Sequence, residues 1–178
     1  MRDWPRIDAN NYYGFNLLKN ASIYGHLELV KYLVENGVYL RTPNETALKY
    51  AVQNGHLDIV KYLVENGADT SLQNKNIFLC AAEGGHLEVL KYMIEYGVKI
   101  QQDNGISLAY AANEGYLEIV KFMVENGADI HIADDWPLRD ASSSGHLEVV
   151  KYLVEKGANI HAGNDYSLAF AAAYGHME

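Results

Sequence analysis

One phrase returns along this chain at a fixed interval of thirty residues. It runs Gly25-His-Leu-Glu-Leu-Val-Lys-Tyr-Leu-Val-Glu-Asn-Gly37, is echoed from Gly55, Gly85, Gly115 and Gly145, and opens once more as a stub at Gly175. A period of this length marks a stack of repeats, because one small supersecondary unit cannot bury its apolar face alone. Such arrays present long shallow surfaces and seldom gather catalytic groups into a pocket.

The repeat from Gly115 to Ser144 shows the physics. Leu117, Ile119, Val120, Phe122, Met123 and Val124 predict a helix over 117–125 with a wide, almost fully buried apolar face. Glu118 in its first turn favours the positive helix end. Lys121, three residues after Glu118 and four before Glu125, makes the outer stripe alternate in charge. Gly127 stands where a left-handed C-cap is needed. Before this helix, 107–114 predicts a shorter one with Leu108, Ala111 and Ala112 on one face, small enough for another helix to approach closely. Gly115 makes the sharp turn between the two. The unit is a helical hairpin followed by a linker, roughly 128–135. Each linker holds one apolar residue (Leu40, Ile100, Ile130, Ile160, with Thr70 the exception) and one Asx residue at a fixed place: Asn44, Asn74, Asn104, Asp134, Asn164. Asn and Asp tolerate left-handed backbone and cap helices, a role that needs no partner outside the chain, so it is favoured over ligand binding.

Composition narrows the function. With 178 residues, 49% of them hydrophobic, the chain can bury a core. A formal charge of −9 and a pI near 5.2 argue against nucleic acid and anionic membranes as partners. The single cysteine, Cys80, can form no internal disulfide and no zinc site. The start, Met1 to Arg6, lacks the apolar stretch of a signal peptide, and no apolar run spans a bilayer. A reducing, cytoplasmic setting and a monomer are the expectation.

These residues resemble the ankyrin repeat. Gly145-His-Leu-Glu-Val-Val150 and Gly127-Ala-Asp129 match its second-helix phrase and its end, while Thr46-Ala-Leu48 with Ala51, and Pro137-Leu138 with Ala141, keep part of its first-helix signature. The resemblance covers about 7–178 and implies an all-α, ankyrin-type solenoid of stacked helix-turn-helix repeats, about five full repeats plus a partial C-terminal one, behind an N-terminal extension over 1–6. The family's usual period is about thirty-three residues. Three residues are lost here from the linker, where the family builds a β-hairpin finger, so shortened finger loops are expected. The thirty-residue form, with Lys-Tyr-Leu-Val-Glu and Asn-Asp-Tyr, is similar to ankyrin proteins of giant DNA viruses of amoebae.

At the ends the pattern weakens. Tyr12 to Tyr24 aligns with a first helix, with Phe15, Leu18 and Ala21 keeping the apolar rhythm. A sixth first helix is expected over about 167–174, where Leu168, Phe170, Ala171 and Ala172 give no polar outer face. Either it serves as a makeshift cap or the chain is a segment of a longer array; the exposed apolar surface favours the second.

Several residue groups invite a chemical reading and fail it. His26, His56, His86, His146 and His176 hold equivalent places, with Tyr116 as the sixth. Repeats translate them into a row that cannot converge on one metal, so hydrogen bonding at the second-helix start is the expectation. His131 and His161 could be neighbours but have no third ligand. No phosphate loop, nucleophile elbow or His-Glu-x-x-His motif occurs. Cys80 is expected to face away from the Leu/Ala stripe as a passive thiol. No catalytic group, cofactor or metal is expected.

Specificity must lie where the repeats differ. Second helices are nearly identical; the variable columns are Thr46, Asn76, Ile106, Trp136, Tyr166, then Tyr50, Cys80, Tyr110, Asp140, Phe170, then Gln53, Glu83, Asn113, Ser143, Ala173. Helical geometry should point all three away from the Leu/Ala stripe. The ankyrin resemblance implies that this side is the concave, partner-binding face. The candidate contact residues are Tyr50, Ile106, Tyr110, Asp135, Trp136, Asp140, Asp165, Tyr166 and Phe170. The aromatic ones would serve either as anchors or as packing between repeats, and the aspartates suit a partner segment with positive charge. The expected function is a non-enzymatic protein-interaction scaffold. The finer resemblance implies a viral protein engaging a host factor. The alternative is a structural spacer that binds nothing itself.

Overall fold

The structure is a computed structural model, and it describes residues 12–38, 40, 47–70, 77–99 and 105–163. The N-terminal extension and the expected last first-helix, about 167–174, lie outside the described residues. Among those described there are ten helices and no strand: α1 (Tyr12–Ile23), α2 (Leu27–Glu35), α3 (Ala47–Gln53), α4 (Leu57–Glu65), α5 (Ile77–Glu83), α6 (Leu87–Glu95), α7 (Ile106–Asn113), α8 (Leu117–Glu125), α9 (Ile132–Ser143) and α10 (Leu147–Glu155). The chain divides into two compact units, Met1–Glu95 and Tyr96–Glu178.

In the first unit α1, α3 and α5 pack side by side as one layer, α2, α4 and α6 as a second, and each odd helix packs on the even helix that follows it. The second unit repeats this with α7 and α9 in one layer, α8 and α10 in the other. The all-α class and the helical hairpin expected from the periodicity are thus present in both. The predicted span 117–125 coincides with α8; α7 lies one residue earlier than the predicted 107–114 because left-handed Gly105 caps its start and Glu114 caps its end.

The layers bury what the spacing said they would. Ile59, Val60, Leu63 and Val64 of α4 are fully buried, as are Leu48, Ala51 and Val52 of α3. Ala81 and Ala82 of α5 in the first unit, and Ala111 and Ala112 of α7 in the second, are small and fully buried. On the outer stripe Glu28–Lys31, Glu88–Lys91, Glu118–Lys121 and Glu148–Lys151 pair at 2.7–2.8 Å. These pairs are solvated, so they aid solubility more than stability.

Helix ends follow one design. At the end of α4, Gly67 N–H donates to Val64 O (3.0 Å) and Ala68 N–H to Leu63 O (2.9 Å). At the end of α3, Gly55 N–H donates to Val52 O and His56 N–H to Ala51 O. Both are Schellman ends, in which a left-handed residue satisfies the last carbonyls of a helix. The second also makes the hairpin turn, because His56, just past Gly55, is already the N-cap of α4 and its carbonyl accepts from Val60.

Gly55 and Gly67 are both left-handed, at φ +73° and +87°, but differ in surroundings: a methyl on Gly55 would overlap the His86 ring, whereas one on Gly67 meets nothing within 4 Å among the described residues. Gly67→Ala is therefore expected to cost only the backbone penalty of about 1–2 kcal/mol. Gly55→Ala should cost more by about 1–3 kcal/mol, the usual penalty of overpacking. Thermal unfolding of the two variants measures the difference. Leu63→Ala, at a fully buried site in the same unit, should lose about 2–5 kcal/mol.

Candidate partner-binding surface

The equivalent histidines define how hairpins stack within a unit. His26, His56 and His146 make no side-chain cap to their own helices. His56 Nε2 instead bonds Ile23 O at 2.9 Å, and His86 Nε2 bonds Gln53 O at 3.1 Å. Each carbonyl belongs to the last residue of the preceding first helix and can only accept, so Nε2 carries the hydrogen. The expected bond at the start of the second helix is thus corrected: the ring reaches back to the previous repeat. His146 lies equally close over Gly115 in the second unit. His26 is exposed, with the Tyr24 ring 6.3 Å away.

First-helix side chains form the candidate surface. In the first unit Tyr50 is half-buried, and the ammonium groups of Lys19 and Lys49 lie 5.0 and 5.1 Å from its ring centre, within cation–π range. Gln53 donates to Glu83 at 3.3 Å across adjacent repeats. Cys80, expected as a passive thiol of a variable column, is fully buried and so offers nothing to a partner. It shares the seven-residue α5 with Ile77, Phe78, Ala81 and Ala82, all of them buried.

In the second unit Ile106 and Tyr110 keep 42% and 36% of their surface, enough to meet a partner. The Trp136 indole donates to the Asp140 carboxylate one helical turn on. Burial pushes the Asp140 carboxyl up, and the Trp136 bond and nearby Arg139 only partly offset this. Ser144 donates to Asn113 Oδ1 at 2.9 Å, so the ends of α7 and α9 are linked side chain to side chain.

Asp135, expected to meet a partner, is 5% exposed. Its Oδ1 accepts from the Asn159 N–H (3.2 Å) and lies 2.9 Å from His131 Nδ1. Its carboxylate is an internal tie between successive linkers and is corrected out of the contact set. Asp134 is exposed, yet its Oδ2 accepts from the Gly163 N–H at 2.7 Å. The Asx role at this position is therefore half as expected. The backbone is left-handed, together with Ala133 and Asp135 (φ 61°, 49° and 51°), but the carboxylate caps the next linker, not its own helix. Arg139 holds the turn from the other side, donating to Ala133 O at 2.8 Å. The three left-handed residues break α9, and the helix restarts after Asp135, so Pro137 falls in the first turn of the new segment, where no N–H is needed. Asp165, Tyr166 and Phe170 lie outside the described residues, as do Asn44, Asn74, Asn104 and Asn164.

Lys19 and Lys49 escaped the sequence reading, although they were visible in it. They occupy one place in successive repeats, followed by Leu79, Ala109 and Arg139, so this column is variable too. His131 Nδ1 lies 2.9 Å from Asp135 Oδ1, and the His161 N–H donates to Asn159 Oδ1 at 3.0 Å. Among the described residues no three His, Cys, Asp or Glu side chains come together as a metal site. No described helix is long and apolar enough to cross a membrane.

The sequence pattern of the family described as "Ankyrin repeats (3 copies)" matches residues 5–74 and 71–134, and that of "Ankyrin repeat" matches 136–165. No curated protein matches the chain in sequence. Among solved structures it is similar to the human ASB11 ankyrin repeat domain, with 27% identity and a TM-score of 0.78, over 87% of this chain and 76% of that one.

Because the Asp140 carboxyl is raised, the folded state holds its proton more tightly than the unfolded chain does. Ionised Asp140 therefore weakens the fold at neutral pH, and this handicap disappears as pH falls through the folded value towards the ordinary carboxylate range. Asp140→Asn, which keeps an acceptor for Trp136, should melt above the parent at neutral pH and level with it in acid; paired melting curves across pH check this.

Proposed function

The chain belongs to the ankyrin-repeat family, and on that premise we propose that it is a protein-binding scaffold whose first-helix face holds a partner protein. Ankyrin repeats generally mediate protein–protein interaction and are generally not enzymes. The observation that supports a binding role here is a contrast between helix types. Second helices carry the same solvated Glu–Lys pairs in four repeats, while first helices differ and hold part-exposed aromatics beside charge: Tyr50 with Lys19 and Lys49, Trp136 with Asp140, and Tyr110. Aromatic anchors of this kind dominate interface energies. A surface ordered before binding avoids the cost of ordering it afterwards.

The acidic Trp136–Asp140 pair suits a partner segment with positive charge. Tyr166 and Phe170 extend the same columns in sequence, Asp165 stands next to Tyr166, and all three belong to this proposal. So does the finer resemblance: a giant-virus source would make the partner a host protein, met in the cytoplasm by a monomeric chain.

A second reading, a spacer without a partner of its own, has its own observation. Gln53–Glu83 and Asn113–Ser144 direct polar groups of the first-helix ends at each other and not outward.

Affinity capture from a eukaryotic lysate separates the two. The parent chain is compared with Tyr50→Ala/Tyr110→Ala/Trp136→Ala after circular dichroism shows both to be helical. Binding by the first-helix face should weaken about tenfold or more, the size of a hot-spot loss. Capture of the same partner by both chains would overturn the site, and capture by neither would favour the spacer.

A further inference from the structure

The sequence holds five Asn-Gly steps, at Asn36, Asn54, Asn66, Asn104 and Asn126. Asn104 lies outside the described residues. The other four sit at helix ends, and three of them, Asn36, Asn66 and Asn126, are the C-caps of α2, α4 and α8. Asn-Gly is the step at which an unstructured chain most readily modifies itself, because glycine offers no side chain to hinder attack by its own backbone nitrogen.

The chemistry needs only water. The glycine nitrogen loses its proton to solvent base and bonds to the asparagine Cγ. The Cγ–Nδ2 bond then breaks, and that nitrogen takes up a proton and leaves as ammonia. Water opens the resulting succinimide at either carbonyl, giving aspartate or isoaspartate. No atom changes oxidation state. For attack, the chain must rotate about the asparagine Cα–C bond to bring the glycine nitrogen over Cγ.

The folded helix ends oppose each step. Asn36 Nδ2 donates to Tyr32 O at 2.7 Å, Asn66 Nδ2 to Tyr62 O at 2.8 Å, and Asn126 Nδ2 to Phe122 O at 2.8 Å. The three glycine nitrogens keep their protons on Val34, Val64 and Val124 carbonyls, each at 3.0 Å. Asparagine ψ is held at 13°, 15° and 12°. Asn54 is restrained in the same way, through Tyr50 O and the Gly55–Val52 bond, and there the His86 ring also covers the glycine. Attacking nitrogen, departing amide and backbone torsion are thus all fixed by the bonds that end the helix.

We propose that Asn36, Asn66 and Asn126 are latent self-modification sites: the intact Schellman end keeps them shut, and opening of a repeat exposes them to irreversible deamidation. Conversion would weaken the helix end that had protected it. The product loses the Nδ2 donor and sets a negative charge among carbonyl oxygens at the negative end of the helix. The equivalent places in the other two repeats hold Tyr96 and Lys156, neither of which can react, and Lys156 carries the charge that such an end favours.

Two measurements test this on the full chain. The first incubates folded protein beside protein held in urea at the same neutral pH and temperature, with peptide mapping of deamidation at each site. The folded rates at 36, 66 and 126 should be about tenfold or more below the unfolded ones, since modification then waits on the open fraction. Equal rates would overturn the proposal. The second compares melting of Asn36→Asp, the product mimic, with Asn36→Lys, which introduces the residue type that the chain itself carries at the equivalent position 156. The aspartate variant should melt lower, and equal melting would overturn the claim that conversion weakens the helix end.

Discussion

Within each unit, stacking depends on the approach of a histidine ring to a left-handed glycine one repeat earlier. The last carbonyl of a first helix has no partner inside its own helix. His56 and His86 supply the missing donor from the next hairpin. The ring can reach that oxygen only because the turn residue carries no Cβ. The same contact therefore completes one helix, fixes the start of the next, and sets the distance between the two. The alanine-lined faces of the first helices and the aliphatic faces of the second can then close without gaps.

This has a consequence for where function can reside. Glycine and the buried aliphatics are constrained in each repeat, and the stacking histidine in most, so the second helix is left with a solvated Glu–Lys stripe and little freedom to differ. First-helix positions away from the alanines carry no such duty. There the chain places Tyr50 beside two lysines in one unit and Trp136 against Asp140 in the other. Packing thus separates residues that build the stack from residues that can distinguish partners.

The hairpin, the helix over 117–125, the buried stripes and the glycine turns were legible in the sequence, because each follows from local rules: apolar spacing, helix capping and steric freedom at one residue. Contacts between repeats were less so. The histidine row was visible, but its acceptor was not, since nothing in a period says whether a side chain turns to its own helix or to the previous one. Asp135 shows the limit in the candidate site. Beside Trp136 it reads as a surface acid, yet it is buried against Asn159 in the next linker, twenty-four residues away. Cys80 fails in the same way: its column includes the half-exposed Tyr50, and only the packing of α5 shows that this member of the column is enclosed.

The sequence by itself determined the repeat unit, its all-helical class and the division between constant and variable positions, because these depend on interactions a few residues apart. Tertiary structure alone decided which variable side chains remain available and which tie one repeat to the next. That choice rests on distances between groups about thirty residues apart, and a repeated sequence offers equal spacing for both outcomes.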